Sequence, residues 1–140
     1  MPKIAIVEDD QAISQMYRIK FEADGYEVET AENGKIGLAL AEKMRPDIIL
    51  LDLMMPEMNG DAMLVELRKT DWGKNIKVII LTNMGEQEVP ENIKQLGVSA
   101  FILKADMTPR QVAELVKSRL TENATQLTIP QPPQQPLAKT

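Results

Sequence analysis

The sequence predicts an α/β domain, a doubly wound parallel sheet with helices on both faces. Two observations carry that prediction. Apolar runs of strand length alternate five times with helix-length amphipathic stretches along 140 residues, the pattern of a parallel sheet. Three of those runs also end in a chemically active side chain: Asp9, Asp52 and Lys104. In open parallel sheets, ligands bind outside the carboxyl ends of the strands. The length fits one domain.

The elements follow in order. Strand one covers Lys3–Val7, uncharged after Lys3. Helix one covers Gln11–Asp24 and stops at Gly25, which suits a left-handed C-cap. Asp10 reads as its N-cap. Residues 26–30 alternate with period two, which places strand two near a sheet edge with one solvated face. Asn33-Gly34 turns the chain into helix two, which ends before Arg45-Pro46. Strand three, Asp47–Leu51, is continuously apolar after its first residue and reads as central and buried. Gly60 precedes helix three, Asp61–Thr70. Strand four is Lys77–Leu81. Pro90 opens a short helix four that ends at Gly97. Strand five is Ala100–Leu103. Thr108-Pro109-Arg110-Gln111 is a capping box for helix five, with Thr as cap, Pro at the first helical position and Gln reaching back. Val112, Leu115, Val116 and Leu120 form its apolar stripe. That helix is expected to fade near Thr121–Asn123. The division is therefore a domain over residues 1–123 and a Pro/Gln-rich tail over 124–140. Residues 129–136 contain four prolines, so they suit a polyproline-type conformation rather than a helix. Truncation after Asn123 should change the melting temperature little.

Composition excludes several function classes. There is no cysteine and no histidine. Thiol nucleophiles, disulfides, imidazole bases and the usual zinc sites are thereby removed. A net charge of −5 disfavours nucleic acid as a direct ligand. No apolar run approaches the roughly 20 residues that span a bilayer, and no signal peptide precedes the first strand. The expected location is cytoplasmic.

The chemistry sits at the strand ends. Glu8, Asp9 and Asp10 follow strand one, and Asp52 follows strand three. Clustered carboxylates repel unless a cation lies between them. Oxygen ligands of this type suit Mg²⁺. Asp52 opens a long loop, Leu53–Gly60, and a carboxylate there can act as a nucleophile toward phosphorus. The backbone carbonyl of Met54 is an available further ligand. Thr82 ends strand four with a hydroxyl, and Lys104 offers a point charge to an anion. Each residue alone has an ordinary reading. A single strand-end aspartate is usually a turn former or a helix cap, and a single lysine is usually solvated. The joint placement, in this chain order, carries the functional reading. Met54, Met55, Met58, Met63 and Met84 read as core or pocket filler rather than metal ligands.

These residues resemble the receiver domain of bacterial two-component response regulators, of the stand-alone, single-domain type. The matching stretches are Val7-Glu8-Asp9-Asp10, Leu51 to Gly60, Leu81-Thr82 and Phe101-Ile102-Leu103-Lys104. The resemblance covers about Lys3 to Leu120 and leaves out only the tail. The resemblance implies a (βα)₅ flavodoxin-like fold with strand order 2-1-3-4-5. It implies Asp52 as phospho-acceptor, with Thr82 and Lys104 binding the phosphoryl group. It implies Mg²⁺ held by Asp9, Asp52 and the Met54 carbonyl, with Glu8 acting indirectly. Thr82 and Phe101 become the switch residues. The implied partners are a sensor histidine kinase or phosphotransfer protein and an output protein on the helix 4–strand 5–helix 5 face. Homodimerisation is left open, and neither direct nucleic-acid binding nor membrane insertion is expected.

The sequence departs from the family pattern twice. Asn83 stands where a small residue is usual. Ala105 follows the lysine where proline in a cis peptide is usual. Cis before a non-proline costs about 2.5–4 kcal/mol, so a trans Lys104–Ala105 bond is expected. In the family, the residues two beyond the aspartate and two beyond the threonine flank the approach of hydrolytic water. Here they are Met54 and Met84, which implies slow self-dephosphorylation.

Two other classes compete. An aspartyl-nucleophile phosphatase would want a second carboxylate two residues after Asp52, and that place holds Met54. A pseudo-receiver used only for interaction would not need the complete acid, threonine and lysine set. A nucleotide or flavin site is disfavoured because strand one runs into Glu8-Asp9-Asp10 rather than a glycine-rich loop.

Overall fold

The computed structural model describes residues 2–55, 58–83 and 89–128, with side chains described to residue 121. The element order is β1 (Lys3–Val7), α1 (Gln11–Ala23), β2 (Glu27–Ala31), α2 (Gly34–Met44), β3 (Ile48–Asp52), α3 (Gly60–Arg68), β4 (Lys77–Thr82), α4 (Glu91–Lys94), β5 (Val98–Leu103) and α5 (Pro109–Thr128). The five strands form one parallel sheet in the order β2-β1-β3-β4-β5. The expected architecture and strand order therefore hold, with β3 in the centre and β2 on an edge.

Strand parity divides the core into two layers. Ala5, Val7, Ile49, Leu51, Val78 and Ile80 face Ala41 and Met44 of α2, Met63, Leu64 and Leu67 of α3, and Ile93 of α4. Ile4, Ile6, Ile48, Leu50, Ile79 and Leu81 face Tyr17 and Phe21 of α1 and Val112, Ala113 and Val116 of α5. Alternation of side chains across each strand supplies both layers from the same residues. Every residue of β3 is buried, as expected for a central parallel strand.

The helix starts follow from local chemistry. Asp10 caps α1, its Oδ1 accepting from Ala12 N at 2.9 Å and Ile13 N at 3.1 Å. Asn33 caps α2 and Asn59 caps α3. The capping box of α5 is present in both directions. Thr108 N donates to Gln111 Oε1 at 2.9 Å, and Gln111 N donates to Thr108 Oγ1 at 3.2 Å.

Several boundaries differ from expectation. Tyr26 N bonds Phe21 O at 3.1 Å, which ties that residue to the end of α1, so β2 begins at Glu27. β5 begins at Val98, two residues early, because a register shift beside Val78/Ile79 lets the ladder extend back. α4 has four residues, and Pro90 is its N-cap rather than its first helical residue. α5 passes the expected fade at Thr121–Asn123 and runs to Thr128. No Gly or Pro interrupts residues 121–129, so nothing there breaks the helix. Residues 129–140, which hold the proline-rich tail, lie outside the described residues. No cis peptide occurs among the described residues, so Lys104–Ala105 is trans as expected.

Candidate functional site

Four strand ends deliver the site. The parallel register sets Val7 beside Leu51, Asp52 beside Leu81, and Thr82 beside Leu103. Glu8, Asp9, Asp52, Thr82 and Lys104 therefore emerge on one rim of the sheet. Carboxylate oxygens of Glu8, Asp9 and Asp52 all lie within 4.8 Å of one another. Lys104 Nζ lies 2.8 Å from Glu8 Oε1 and 3.1 Å from Asp52 Oδ2. Lys104 N also donates to Thr82 O at 2.8 Å, which fixes the start of the loop after β5.

Burial separates the three acids. Asp52 is 3% exposed and Glu8 is 1% exposed, whereas Asp9 faces solvent. Asp52 Oδ1 accepts from Met54 N at 3.1 Å, and Oδ2 accepts from Lys104. Glu8 Oε2 accepts from Asp10 N at 3.0 Å. The ammonium approaches Glu8 Oε1 off the hydrogen-bond direction, so that buried oxygen is held by charge without an aligned donor.

Electrostatics follow from this placement. Burial, aided by the neighbouring Asp52 charge, pushes the Glu8 carboxyl up to about 7, against the lowering effect of Lys104 and the Asp10 amide. Burial alone would depress the Lys104 ammonium, but Glu8 and Asp52 outweigh it and hold its pKa above the ordinary value. A buried oxygen without an aligned donor, beside two more carboxylates, fits a hard divalent cation. The same arrangement sets the buried Asp52 carboxylate against the Lys104 ammonium.

Phe101 is half-buried on the face that carries α2, α3 and α4. Thr82 is buried at the end of β4, and Asn83 beyond it is exposed. Met54 is 65% exposed, so its thioether does not fold back onto the core. Met84 lies outside the described residues. The sequence signalled the acids and the lysine separately. It did not signal the Glu8–Lys104 pair, which depends on β1 and β5 ending at the same rim with β3 and β4 between them.

The family model for the response regulator receiver domain matches residues 4–117. The polar-differentiation response regulator DivK of Brucella anthropi is 38% identical over 121 residues, covering 86% of this chain and 98% of DivK. The DNA-binding dual master transcriptional regulator RpaA of Synechocystis is 42% identical over 86 residues, covering 61% of this chain. The matched segment spans only 36% of RpaA. Among solved structures, the chemotaxis response regulator CheY4 of Vibrio cholerae superposes with a TM-score of 0.77 at 30% identity, covering 84% of this chain and 98% of CheY4. The response regulator TrrA of Thermotoga maritima, in complex with Mg²⁺-BeF, gives a TM-score of 0.73 at 27% identity over 84% of this chain and 98% of its own.

Proposed function

The chain belongs to the receiver domains of response regulators, which mediate phosphorylation-dependent signalling, and we propose that Asp52 is the residue that accepts the phosphoryl group. The observation that carries this reading is the buried Asp52 carboxylate at the end of the central strand, 3.1 Å from the Lys104 ammonium and clustered with Glu8 and Asp9. In the proposed reaction an Asp52 oxygen bonds to phosphorus while the donor's bond to phosphorus breaks, its electron pair leaving with the donor. Lys104 then faces both the carboxylate and a phosphoryl oxygen, and Thr82 offers its hydroxyl to another. Asp9, Asp52 and the Met54 carbonyl are the proposed magnesium ligands, with Glu8 acting indirectly. Magnesium, when bound, supplies charge that offsets the repulsion between the incoming anion and the acids.

The proposed donor is a sensor histidine kinase or a phosphotransfer protein. The output surface is the α4-β5-α5 face, reached through Thr82 and Phe101. The chain's own chemistry is limited to self-phosphorylation from donors and slow self-dephosphorylation. No helix among the described residues is long and apolar enough to cross a membrane, and the proposed location is cytoplasmic. The test is incubation with acetyl phosphate and Mg²⁺ followed by intact mass. One added phosphoryl mass supports the reading, and an unchanged mass refutes it.

A pH signature accompanies metal binding. A carboxyl raised to about 7 holds a substantial share of its proton at neutral pH. A divalent cation placed among the acids favours the ionised form, so binding releases protons. Apparent Mg²⁺ affinity is expected to rise from pH 6 to pH 8 and then level off. The metal-free fold is expected to follow the opposite trend. The unfolded Glu8 ionises first, so stability falls as pH rises from about 4.5 toward 7. Glu8→Gln should flatten both trends, and Asp9→Asn should weaken Mg²⁺ binding at every pH. Calorimetric titration in two buffers of different ionisation enthalpy measures the proton release. No release at pH 7 would contradict the raised Glu8.

Decay of the phosphorylated state gives a separate prediction. Neither thioether can orient a hydrolytic water. Replacing Met54 by Asn together with Met84 by Glu should speed loss of label about tenfold or more, since water positioning is part of the rate. The measurement is decay of labelled protein after donor removal. A double variant no faster than the wild type would show that the two methionines do not slow the decay.

A further inference from the structure

Strand β5 carries Lys104 on its end, yet its own packing specifies its register weakly. Among the described residues it is an edge strand paired only with β4, and Ile102 is its one fully buried residue. Its register is also irregular. Val78 pairs with Val98, but Ile79 pairs with Ala100, so Ser99 is an extra residue on the β5 side. The consequence reaches the site. Without the extra residue, Thr82 would pair with Ile102 instead of Leu103. Every later β5 side chain would exchange faces, Phe101 and Ile102 included. Lys104 would stand one residue farther along.

Two arginines hold carbonyls just before that irregularity and at the extra residue itself. Arg68, the last residue of α3, donates through Nε to Leu96 O at 2.6 Å and through Nη2 to Gly97 O at 3.2 Å. Its Nη1 donates to Gly73 O and Ile76 O, both at 2.8 Å, and so holds the loop that leads into β4. One guanidinium thus fastens the starts of β4 and β5 to each other. Arg119 of α5 donates through Nε to Ser99 O at 3.2 Å, from the opposite face of the sheet. A guanidinium's fixed fork of donors suits this task better than an ammonium.

We propose that Arg68 and Arg119 are positioning residues that lock the bulged register of β5 and so set Lys104 beside Glu8 and Asp52. The catalytic relevance of that placement rests on the function proposed above, whereas the register itself does not. The test therefore has two readouts on Arg68→Met, Arg119→Met and the double variant, each in the full chain. Amide hydrogen exchange is measured first, without donor. Exchange at Ala100–Lys104 is expected to rise about tenfold or more over Ile6 and Leu50 of the inner strands. The rate of labelling by acetyl phosphate is then expected to fall, with Arg119→Lys restoring most of it because one donor suffices at Ser99 O. A uniform rise in exchange across all strands, or none in β5, overturns the proposal. An unlabelled wild type with selective β5 exchange overturns the function of the site and leaves the register lock standing. The single variants keep both readouts available if the double variant does not fold.

Discussion

Asp52→Asn is expected to abolish phosphoryl incorporation from acetyl phosphate in the presence of Mg²⁺. The side chain is nearly isosteric, so the effect isolates chemistry from packing. Asp52 Oδ1 accepts from Met54 N and Oδ2 faces Lys104. An amide can keep one of these contacts through its oxygen, but its nitrogen would face the ammonium. More importantly, an amide is a far poorer nucleophile than a carboxylate. The variant also removes one of three crowded acids, so the metal-free protein should be equally or more stable. Intact mass and thermal melting read both effects on one sample. A stable variant that still gains a phosphoryl mass would move the acceptor elsewhere. An unstable, unlabelled variant would leave chemistry and folding confounded, and Asp52→Glu, which keeps the charge, then separates them.

Much of this fold is written locally. The period-two pattern of residues 26–30 and the unbroken apolar run of β3 announced an edge strand and a central one, and both stand in those places. Caps were equally plain, because Asp10 and the Thr108–Gln111 pair act on amides two or three residues away. Boundaries set by distant partners were less legible. The early start of β5 depends on its bulged pairing with Val78, and the alternation within β5 alone does not reveal it. Helix α4 stops at Lys94, short of the Gly97 where the sequence places its end, and residues 95–97 form a turn with Gly97 at φ 77°.

The site shows the same division. Asp9, Asp52 and Lys104 were visible because each ends an apolar run. Arg68 was not, since an arginine at the end of an amphipathic helix ordinarily reads as a dipole-complementing, solvated side chain. Its four acceptors are backbone carbonyls up to 29 residues away in sequence, and carbonyls leave no mark in the residue pattern. Glu8 was legible as an acid but not as a buried one, because its burial comes from the convergence of strands.

The other large effect is expected at Gly60, the first residue of α3. The loop that starts at Asp52 returns so closely that Gly60 N donates to Leu53 O at 3.0 Å. A methyl group at Gly60 would meet the carbonyl oxygen of Asp52, and it would stand 2.8 Å from Leu53 Cα and 2.9 Å from Asp52 C. All three are backbone atoms of the Asp52–Leu53 segment, so no side chain can rotate away. Gly60→Ala must therefore move the Asp52–Leu53 backbone, and overpacking of this kind costs roughly 1–3 kcal/mol or more. The displacement also acts on function, because it shifts Asp52 relative to Asp9 and Lys104. Gly25 supplies the contrast. It has a φ of 95° but nothing within 4 Å of an added methyl, so Gly25→Ala should cost only about 1 kcal/mol through backbone strain. Urea unfolding and Mg²⁺ titration of both variants make the comparison. Gly60→Ala is expected to lose stability and Mg²⁺ affinity together, whereas Gly25→Ala loses some stability and keeps the metal site. Equal Mg²⁺ affinity in the two variants would show that the return of the loop onto Asp52 does not position the acid.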